Sequence, residues 1–215
     1  MSRFKAVVFD LDGVITDTAH YHYQAWKQLA ESQGVPFDAA FNEKLKGVDR
    51  MGSLDLILAQ GPRAYTIAEK LALADRKNEH YKELIAGITP ADLLPGAVEA
   101  LAGVRAAGLK IALASVSRNA FSVLDMLGIR DAFDDVVDAN LVRQGKPHPE
   151  IFLTAAEHLG VAPADCLGVE DAVAGVASIK AAGMFALGVG DPAILLQADR
   201  VIPDLTHFRL ADYQS

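Results

Sequence analysis

The fold is decided by the stretch AVVFDLDGVITDT, residues 6–18. Its first four residues, 6–9, are apolar throughout and do not alternate with polar ones. Such a run is typical of a strand that is buried on both faces of a parallel sheet. Asp10 and Asp12 follow it directly, and open parallel sheets bind their ligands beyond the carboxyl ends of the strands. The stretch therefore predicts a parallel sheet with an acidic site at one edge.

Similar apolar runs recur along the chain and alternate with segments of helical periodicity. The further candidate strands are residues 110–114, 135–137, 166–169, 184–189 and 200–202. The candidate helices between them are residues 97–107, 120–127, 150–158 and 172–182. A glycine, which favours the end of a helix, follows each of these helices. Strand alternating with helix predicts an α/β fold with a Rossmann-like, doubly wound parallel sheet.

One long segment breaks this alternation. Between about residues 18 and 88 no strand-like run occurs, and apolar residues such as Trp26 and Leu29 follow helical spacing. We therefore predict an α-helical cap domain at residues 17–88, inserted into a core domain made of residues 1–16 and 89–215.

Composition limits the classes of partner. The 215 residues carry a formal net charge of −8, which argues against nucleic acids and anionic membranes as partners. No apolar stretch approaches the roughly 18 residues of a membrane span, and no signal peptide is predicted. Cys166 is the single cysteine, so neither an intrachain disulfide nor a cysteine metal cluster is expected. We expect a cytoplasmic monomer.

Polar side chains also follow other predicted strands. Ser115 and Ser117 come after the run 110–114, Lys146 precedes Pro147, and the pair Glu170-Asp171 follows the run 166–169. Because the carboxyl ends of parallel strands meet at one edge of the sheet, these groups are expected to lie near Asp10.

The chemistry of this set favours a hard divalent cation and a phosphate group. Mg²⁺ prefers carboxylate and carbonyl oxygens and is usually completed by water and substrate phosphate. Asp10 and Asp171 are the expected direct ligands, with Glu170 beside them or acting through water. Lys146 and a serine hydroxyl would then bind phosphate oxygens. No Walker-type glycine loop is present, so the usual nucleotide-binding loop is not expected.

The chain resembles the haloacid dehalogenase superfamily of phosphotransferases at these residues. The matching motifs are Asp10-Leu11-Asp12-Gly13-Val14, Ser115-Val116-Ser117, Lys146-Pro147 and Gly168-Val169-Glu170-Asp171. Within the superfamily it resembles the phosphomutases that act on glucose phosphates. That closer resemblance rests on residues 12–18, His22, Leu45-Lys46-Gly47-Val48 with Arg50, Arg76-Lys77-Asn78 and residues 115–119.

The resemblance implies an isomerase, an intramolecular phosphotransferase. It would interconvert β-D-glucose 1-phosphate and glucose 6-phosphate through a phosphoaspartate enzyme and β-glucose 1,6-bisphosphate. Asp10 would be the nucleophile that becomes phosphorylated. Asp12 would be the general acid and base, and its backbone carbonyl would also bind the metal.

The resemblance implies roles for the other motif residues as well. Mg²⁺ would be held by Asp10, Asp12, Glu170 and Asp171, and Ser115 and Lys146 would hold the phosphoryl group in transfer. The phosphate that is not transferred would be bound by Arg50, Ser117 and Asn119. The substrate and the closed cap would be recognised by Thr18, His22, Gly47, Lys77 and Val116.

Two positions depart from the pattern of the family. Asp49 stands where a serine often precedes the arginine, and Val116 stands where a small alanine is often found. We expect the carboxylate of Asp49 to attract part of the Arg50 guanidinium.

Several alternatives remain open at this level. Asp12 and Asp17 could be ordinary loop residues, and Ser115 could cap the following helix. A Mg²⁺-dependent sugar-phosphate phosphatase would use the same two aspartates, whereas a phosphosugar sensor without activity would not need Asp12 as a second, proton-carrying carboxyl group. The residues His22, Arg50 and Lys77 could also be structural or solvated, but as a set in the cap they favour the mutase.

Overall fold

The computed structural model describes residues 3–45 and 47–213, so Lys46 of the cap motif lies outside the described residues. The described residues form a six-stranded sheet in which every pairing is parallel. The strands are β1 (Ala6–Phe9), β2 (Lys110–Leu113), β3 (Asp135–Val136), β4 (Cys166–Glu170), β5 (Phe185–Val189) and β6 (Arg200–Ile202). Each predicted strand is present, with ends that differ by one residue at most.

The strand order is β3-β2-β1-β4-β5-β6. The direction of winding therefore reverses between β1 and β4, which pair in register from Ala6 with Cys166 to Phe9 with Val169. In such a doubly wound sheet the crevice for the ligand opens at this switch point.

The helices are α1 (Ala19–Ser32), α2 (Ala39–Glu43), α3 (Arg50–Leu58), α4 (Ile67–Ile85), α5 (Ala97–Ala106), α6 (Ala120–Leu127), α7 (Glu150–Leu159) and α8 (Val173–Ala181). Successive strand residues point to opposite faces of a sheet. Val7 and Phe9 accordingly pack in one apolar cluster with α5 and α6, and Ala6 and Val8 pack in another with α7 and α8. Both faces are covered, which explains why the strands are apolar throughout and confirms the α/β prediction.

Helices α1 to α4 follow β1 and form the inserted cap. Trp26, Leu54 and Ala74 belong to an apolar cluster of their own, apart from the two clusters on the sheet. The chain enters and leaves this segment side by side, because Thr16 forms an antiparallel bridge with Leu93. No helix among the described residues has the length and apolar character needed to cross a membrane.

Candidate active site

The ends of β1 and β4 bring the acidic residues together. Asp10 follows β1 directly and its backbone N–H donates to the Val169 carbonyl at 2.9 Å, which fixes it beside the end of β4. Glu170 is the last residue of β4, and Asp171 follows it. One carboxylate oxygen of each of these three acids lies within 4.8 Å of the others.

Lys146 lies beneath this cluster and joins two of its members. Its Nζ donates to Asp10 Oδ1 at 2.5 Å and to Glu170 Oε1 at 2.6 Å, and its side chain is fully buried. Glu170 Oε2 accepts from the backbone N–H of Ala172 at 2.7 Å. Both oxygens of Glu170 therefore already have hydrogen-bond partners within the protein.

The pKa values reflect this burial. Burial raises the pKa of Asp10 to about 7, against the opposing effect of the nearby ammonium. Burial lowers the pKa of Lys146, but Asp10 and Glu170 outweigh it and hold that pKa above the ordinary value. Two buried carboxyl groups thus share one lysine, and additional positive charge would favour their ionised forms.

The donor set fits a hard divalent cation. The carboxylates of Asp10, Glu170 and Asp171 carry three formal negative charges. The ammonium of Lys146 balances one of them, so two negative charges remain on the cluster. Hard divalent ions such as Mg²⁺ take oxygen ligands of this kind. No cysteine or histidine belongs to the cluster, so the set offers none of the soft ligands that favour zinc.

Asp12 is held away from this cluster by the linker to the cap. Its Oδ1 accepts a very short hydrogen bond from the Thr18 hydroxyl and another from the Thr18 backbone N–H at 3.1 Å. The Tyr81 hydroxyl lies 2.9 Å from Thr18 Oγ1 and completes the chain of hydrogen bonds. Burial raises the pKa of Asp12 to about 6, although its hydrogen bonds to Thr18 act in the opposite direction.

The cap places a second group of polar residues opposite the acids. Lys77 Nζ lies 2.7 Å from His22 Nδ1 and over the ring of Trp26. Burial lowers the pKa of His22 well below its usual range, and the charge of Lys77 acts in the same direction. When Lys77 is an ammonium it can only donate, and the neutral ring then accepts at Nδ1 and carries its proton on Nε2. Burial, helped by Arg50, also lowers the pKa of Lys77 to about 7.

Arg50 is the first residue of α3 and approaches the core. Its Nη2 donates to Asn78 Oδ1 at 2.7 Å, and Asn119 Nδ2 donates to the same oxygen at 2.9 Å. The expectation for Asp49 was wrong: its carboxylate caps α3 by accepting from the backbone N–H groups of Met51 and Gly52. The local demand of a helix N-terminus for an acceptor explains this orientation.

A cavity of about 240 Å³ separates the acids from the cap. Every site residue predicted from the sequence lines it except Thr18 and Lys146, which lie directly behind Asp12 and Asp10. Gly47, which lines the cavity, brings the cap close to the core, since a Cβ at Gly47 would lie 3.4 Å from Ala172. The predicted residues therefore line or directly support one cavity.

Comparison with known proteins agrees with this geometry. Residues 4–183 match the haloacid dehalogenase-like hydrolase family. The β-phosphoglucomutase of Bacillus subtilis is 53% identical over 92% of this chain and 88% of its own length. The chain belongs to the β-phosphoglucomutase family within the haloacid dehalogenase superfamily. A crystal structure of β-phosphoglucomutase from Clostridium difficile has a TM-score of 0.95 and 46% identity, covering 98% of this chain and 96% of the other.

The superfamily also contains phosphatases. A phosphorylated carbohydrates phosphatase from Thermotoga maritima is 33% identical over 84% of this chain and 82% of its own length. The greater similarity to β-phosphoglucomutases supports an isomerase over the phosphatase alternative.

Some contributors to the site were missed from the sequence. Asn78 and Arg118 line the cavity, and Tyr81 supports both Thr18 and His22. Asn78 directly follows Lys77 in a motif of the β-phosphoglucomutase family, which was the available signal. Ser115 does not cap α6, because its Oγ accepts from the Ser117 N–H before the helix begins.

Glycines make room for two of the acids. Gly13 has a φ of +77°, and a Cβ there would lie 2.2 Å from Asp171 Oδ2. Gly175 lies in α8, and a Cβ there would lie 1.8 Å from Glu170 Oε1. The backbone at Gly175 has ordinary helical geometry, so the closest clash of an added side chain would be with the side chain of Glu170.

Gly175→Ala is therefore expected to impair the site although alanine favours helices. Displacing Glu170 separates it from Lys146, and loss of such a supporting contact typically costs about 10- to 100-fold in metal affinity or activity. The measurements are kcat/KM and the Mg²⁺ dissociation constant. Gly103→Ala in α5 is the matched control, because no atom lies within 4 Å of its Cβ position. Equal behaviour of the two variants would contradict this role of Gly175.

Proposed function

We propose that the enzyme interconverts β-D-glucose 1-phosphate and glucose 6-phosphate through a phosphoaspartate at Asp10 and a β-glucose 1,6-bisphosphate intermediate. The observation that carries the proposal is that one cavity combines an acidic cluster suited to a metal ion with a pair of guanidinium groups. The carboxylates of Asp10, Glu170 and Asp171 line it together with Arg50 and Arg118. A sugar bisphosphate presents two phosphates, of which one would bind at the metal site and the other at the guanidinium groups, whereas hydrolysis of a monophosphate needs only the metal site.

In the proposed reaction the 6-hydroxyl of β-D-glucose 1-phosphate attacks the phosphoaspartate and gives its proton to Asp12, and the bond from phosphorus to Asp10 breaks as the bisphosphate forms. In the second step the freed Asp10 carboxylate attacks the phosphorus at position 1 of the bisphosphate, and the bond from phosphorus to the sugar oxygen breaks. Asp12 gives the proton to that oxygen, which releases glucose 6-phosphate and restores the phosphoaspartate. The raised pKa of Asp12 supports this role, because a carboxyl group with a pKa of about 6 exchanges a proton readily near neutral pH.

The cap residues are proposed to favour a sugar hydroxyl over water. His22 and Lys77 form a partly buried hydrogen-bonded pair on the cavity wall, and Gly47 brings the cap loop close to Ala172. Thr18 is proposed to hold Asp12, and Val116 to contact the sugar. Exclusion of water by a closed cap protects a phosphoaspartate from hydrolysis.

Mg²⁺ is the proposed metal, held by Asp10, Asp171, the backbone carbonyl of Asp12 and, directly or through water, Glu170. When bound it supplies positive charge that stabilises the charge developing on the phosphoryl oxygens. The core residues Ser115 and Lys146 are proposed to bind the same phosphoryl group.

Removal of divalent metal is expected to stop turnover, and Mg²⁺ alone is expected to restore it, because all the ligands are oxygen atoms. Addition of Mg²⁺ should also raise the melting temperature of the metal-depleted protein, since an ion that binds only the folded state stabilises it. Chelator titration with both readouts makes the test. Full activity in excess chelator would contradict the metal site.

Arg50→Ala is expected to depress kcat/KM for β-D-glucose 1-phosphate about 10- to 150-fold. A hydrogen bond to a charged group contributes about 1.5–3 kcal/mol, which corresponds to that factor at 1.36 kcal/mol per decade. Arg50→Lys should recover only part, because a point charge does not reproduce the planar fork. Acetyl phosphate lacks a second phosphate, so phosphorylation of Asp10 by it should change little. Equal losses with both donors would show that Arg50 only supports the cap.

The proposed function is tested by ³¹P NMR with β-D-glucose 1-phosphate, Mg²⁺ and a trace of the bisphosphate. Conversion to glucose 6-phosphate is the expected result, and release of inorganic phosphate alone would identify a phosphatase. The domain boundaries at residues 17 and 88, the monomeric state and the cytoplasmic location stay predictions.

A further inference from the structure

Asn78 connects three separate elements at the cap end of the cavity. It lies in α4, and its Oδ1 accepts from Arg50 of α3 and from Asn119, the core residue that precedes α6. A guanidinium can only donate hydrogen bonds, so the atom that faces Arg50 must be the amide oxygen and not the nitrogen. The orientation of the Asn78 amide is therefore fixed by chemistry.

The nitrogen at the other end of this amide donates to no described residue. Both lone pairs of Oδ1 are used by the two donors, and no described residue accepts a hydrogen bond from Nδ2. Among the described residues, no buried side-chain nitrogen or oxygen lacks a partner. Nδ2 of Asn78 is therefore accessible, and Asn78 is one of the residues that line the cavity.

The surroundings of Nδ2 are positively charged. Burial and the nearby Arg118 guanidinium lower the pKa of Arg50, while Asp75 and Glu79 oppose this effect. Arg50, Arg118 and Lys77 all line the cavity. A donor group beside two guanidinium groups suits an anion with several acceptor oxygens, which is the chemistry of a phosphate ester.

We propose that Asn78 binds the phosphate that is not being transferred. Its Nδ2 donates to a phosphate oxygen, and its Oδ1 positions Arg50 and Asn119 around the same phosphate. This inference rests on the proposed function. It also implies that phosphate binding strengthens the contact of the cap with the core, because Arg50 and Asn119 belong to opposite sides.

Asn78→Ala and Asn78→Asp separate the two ends of the amide. Aspartate keeps an acceptor for Arg50 and Asn119 but replaces the N–H groups by a negatively charged oxygen. The measurements are KM and kcat for β-D-glucose 1-phosphate, the dissociation constant of glucose 6-phosphate, and the rate of Asp10 phosphorylation by acetyl phosphate. Asn140→Ala, which removes the same amide from a surface turn, is the matched control.

Asn78→Ala is expected to weaken glucose 6-phosphate binding by at least about 10-fold. Asn78→Asp is expected to weaken it at least as much. In both variants the rate of Asp10 phosphorylation by acetyl phosphate is expected to stay unchanged. Wild-type affinity in the aspartate variant would overturn the proposed donation by Nδ2. An equally large fall in the rate of Asp10 phosphorylation by acetyl phosphate would overturn the role of Asn78 in phosphate binding. Since glucose 6-phosphate binding needs no turnover, these outcomes are distinct from failure of the wild-type protein to isomerise glucose phosphates.

Discussion

Asp10→Asn is expected to abolish phosphoryl transfer, by at least about 10⁴-fold, as when a covalent nucleophile is removed. An amide of the same shape is neither a nucleophile nor a strong ligand for a hard cation. The fold should survive, because Lys146 keeps its second carboxylate partner, Glu170, at 2.6 Å. Only the reacting group and one metal ligand are then lost.

Three measurements make this test specific. ³¹P NMR follows isomerisation, the mass of the intact protein after incubation with acetyl phosphate reports phosphorylation, and thermal unfolding reports the fold. Asp165→Asn is the matched control, because Asp165 is a partly exposed carboxylate that pairs with Lys5 at the opposite end of β4. A phosphorylated Asp10→Asn protein, or turnover near the wild-type rate, would place the nucleophile elsewhere.

The sheet was predictable because burial on both faces leaves a simple signal. Residues 6–9 and 166–169 are apolar at every position, since successive side chains enter the two different clusters on the sheet. The helix ends were predictable for a related reason: Gly128 and Gly160 have φ values of +69° and +64°, which residues with a Cβ rarely adopt. Local sequence determines both features.

The site was only partly predictable because its polar contacts join distant positions. Asp10 and Lys146 were found through motif order and strand ends, although 136 positions separate them. Asn78 and Asn119 are 41 positions apart, and their contact depends on how the cap meets the core. Tyr81 has the spacing of an apolar helix residue, so its hydroxyl contact with Thr18 left no signal in the pattern.

Asp12→Asn is expected to slow isomerisation by roughly 10²- to 10⁴-fold, the usual contribution of a positioned general acid and base. The asparagine oxygen can still accept the hydrogen bonds from Thr18, so the linker to the cap should keep its conformation. The loss would then come from the proton that an amide cannot supply to the leaving sugar oxygen.

The leaving group provides the decisive comparison for Asp12. A sugar alkoxide is a poor leaving group that needs a proton, whereas acetate leaves acetyl phosphate readily without one. Asp12→Asn should therefore transfer the phosphoryl group of acetyl phosphate to Asp10 at nearly the wild-type rate and fail with β-D-glucose 1-phosphate. Rapid-quench measurement of both first-order rates gives the ratio directly. A loss below about threefold with the sugar phosphate, or the same loss with both donors, would assign the proton transfer to another group and leave Asp12 as a structural ligand of Thr18.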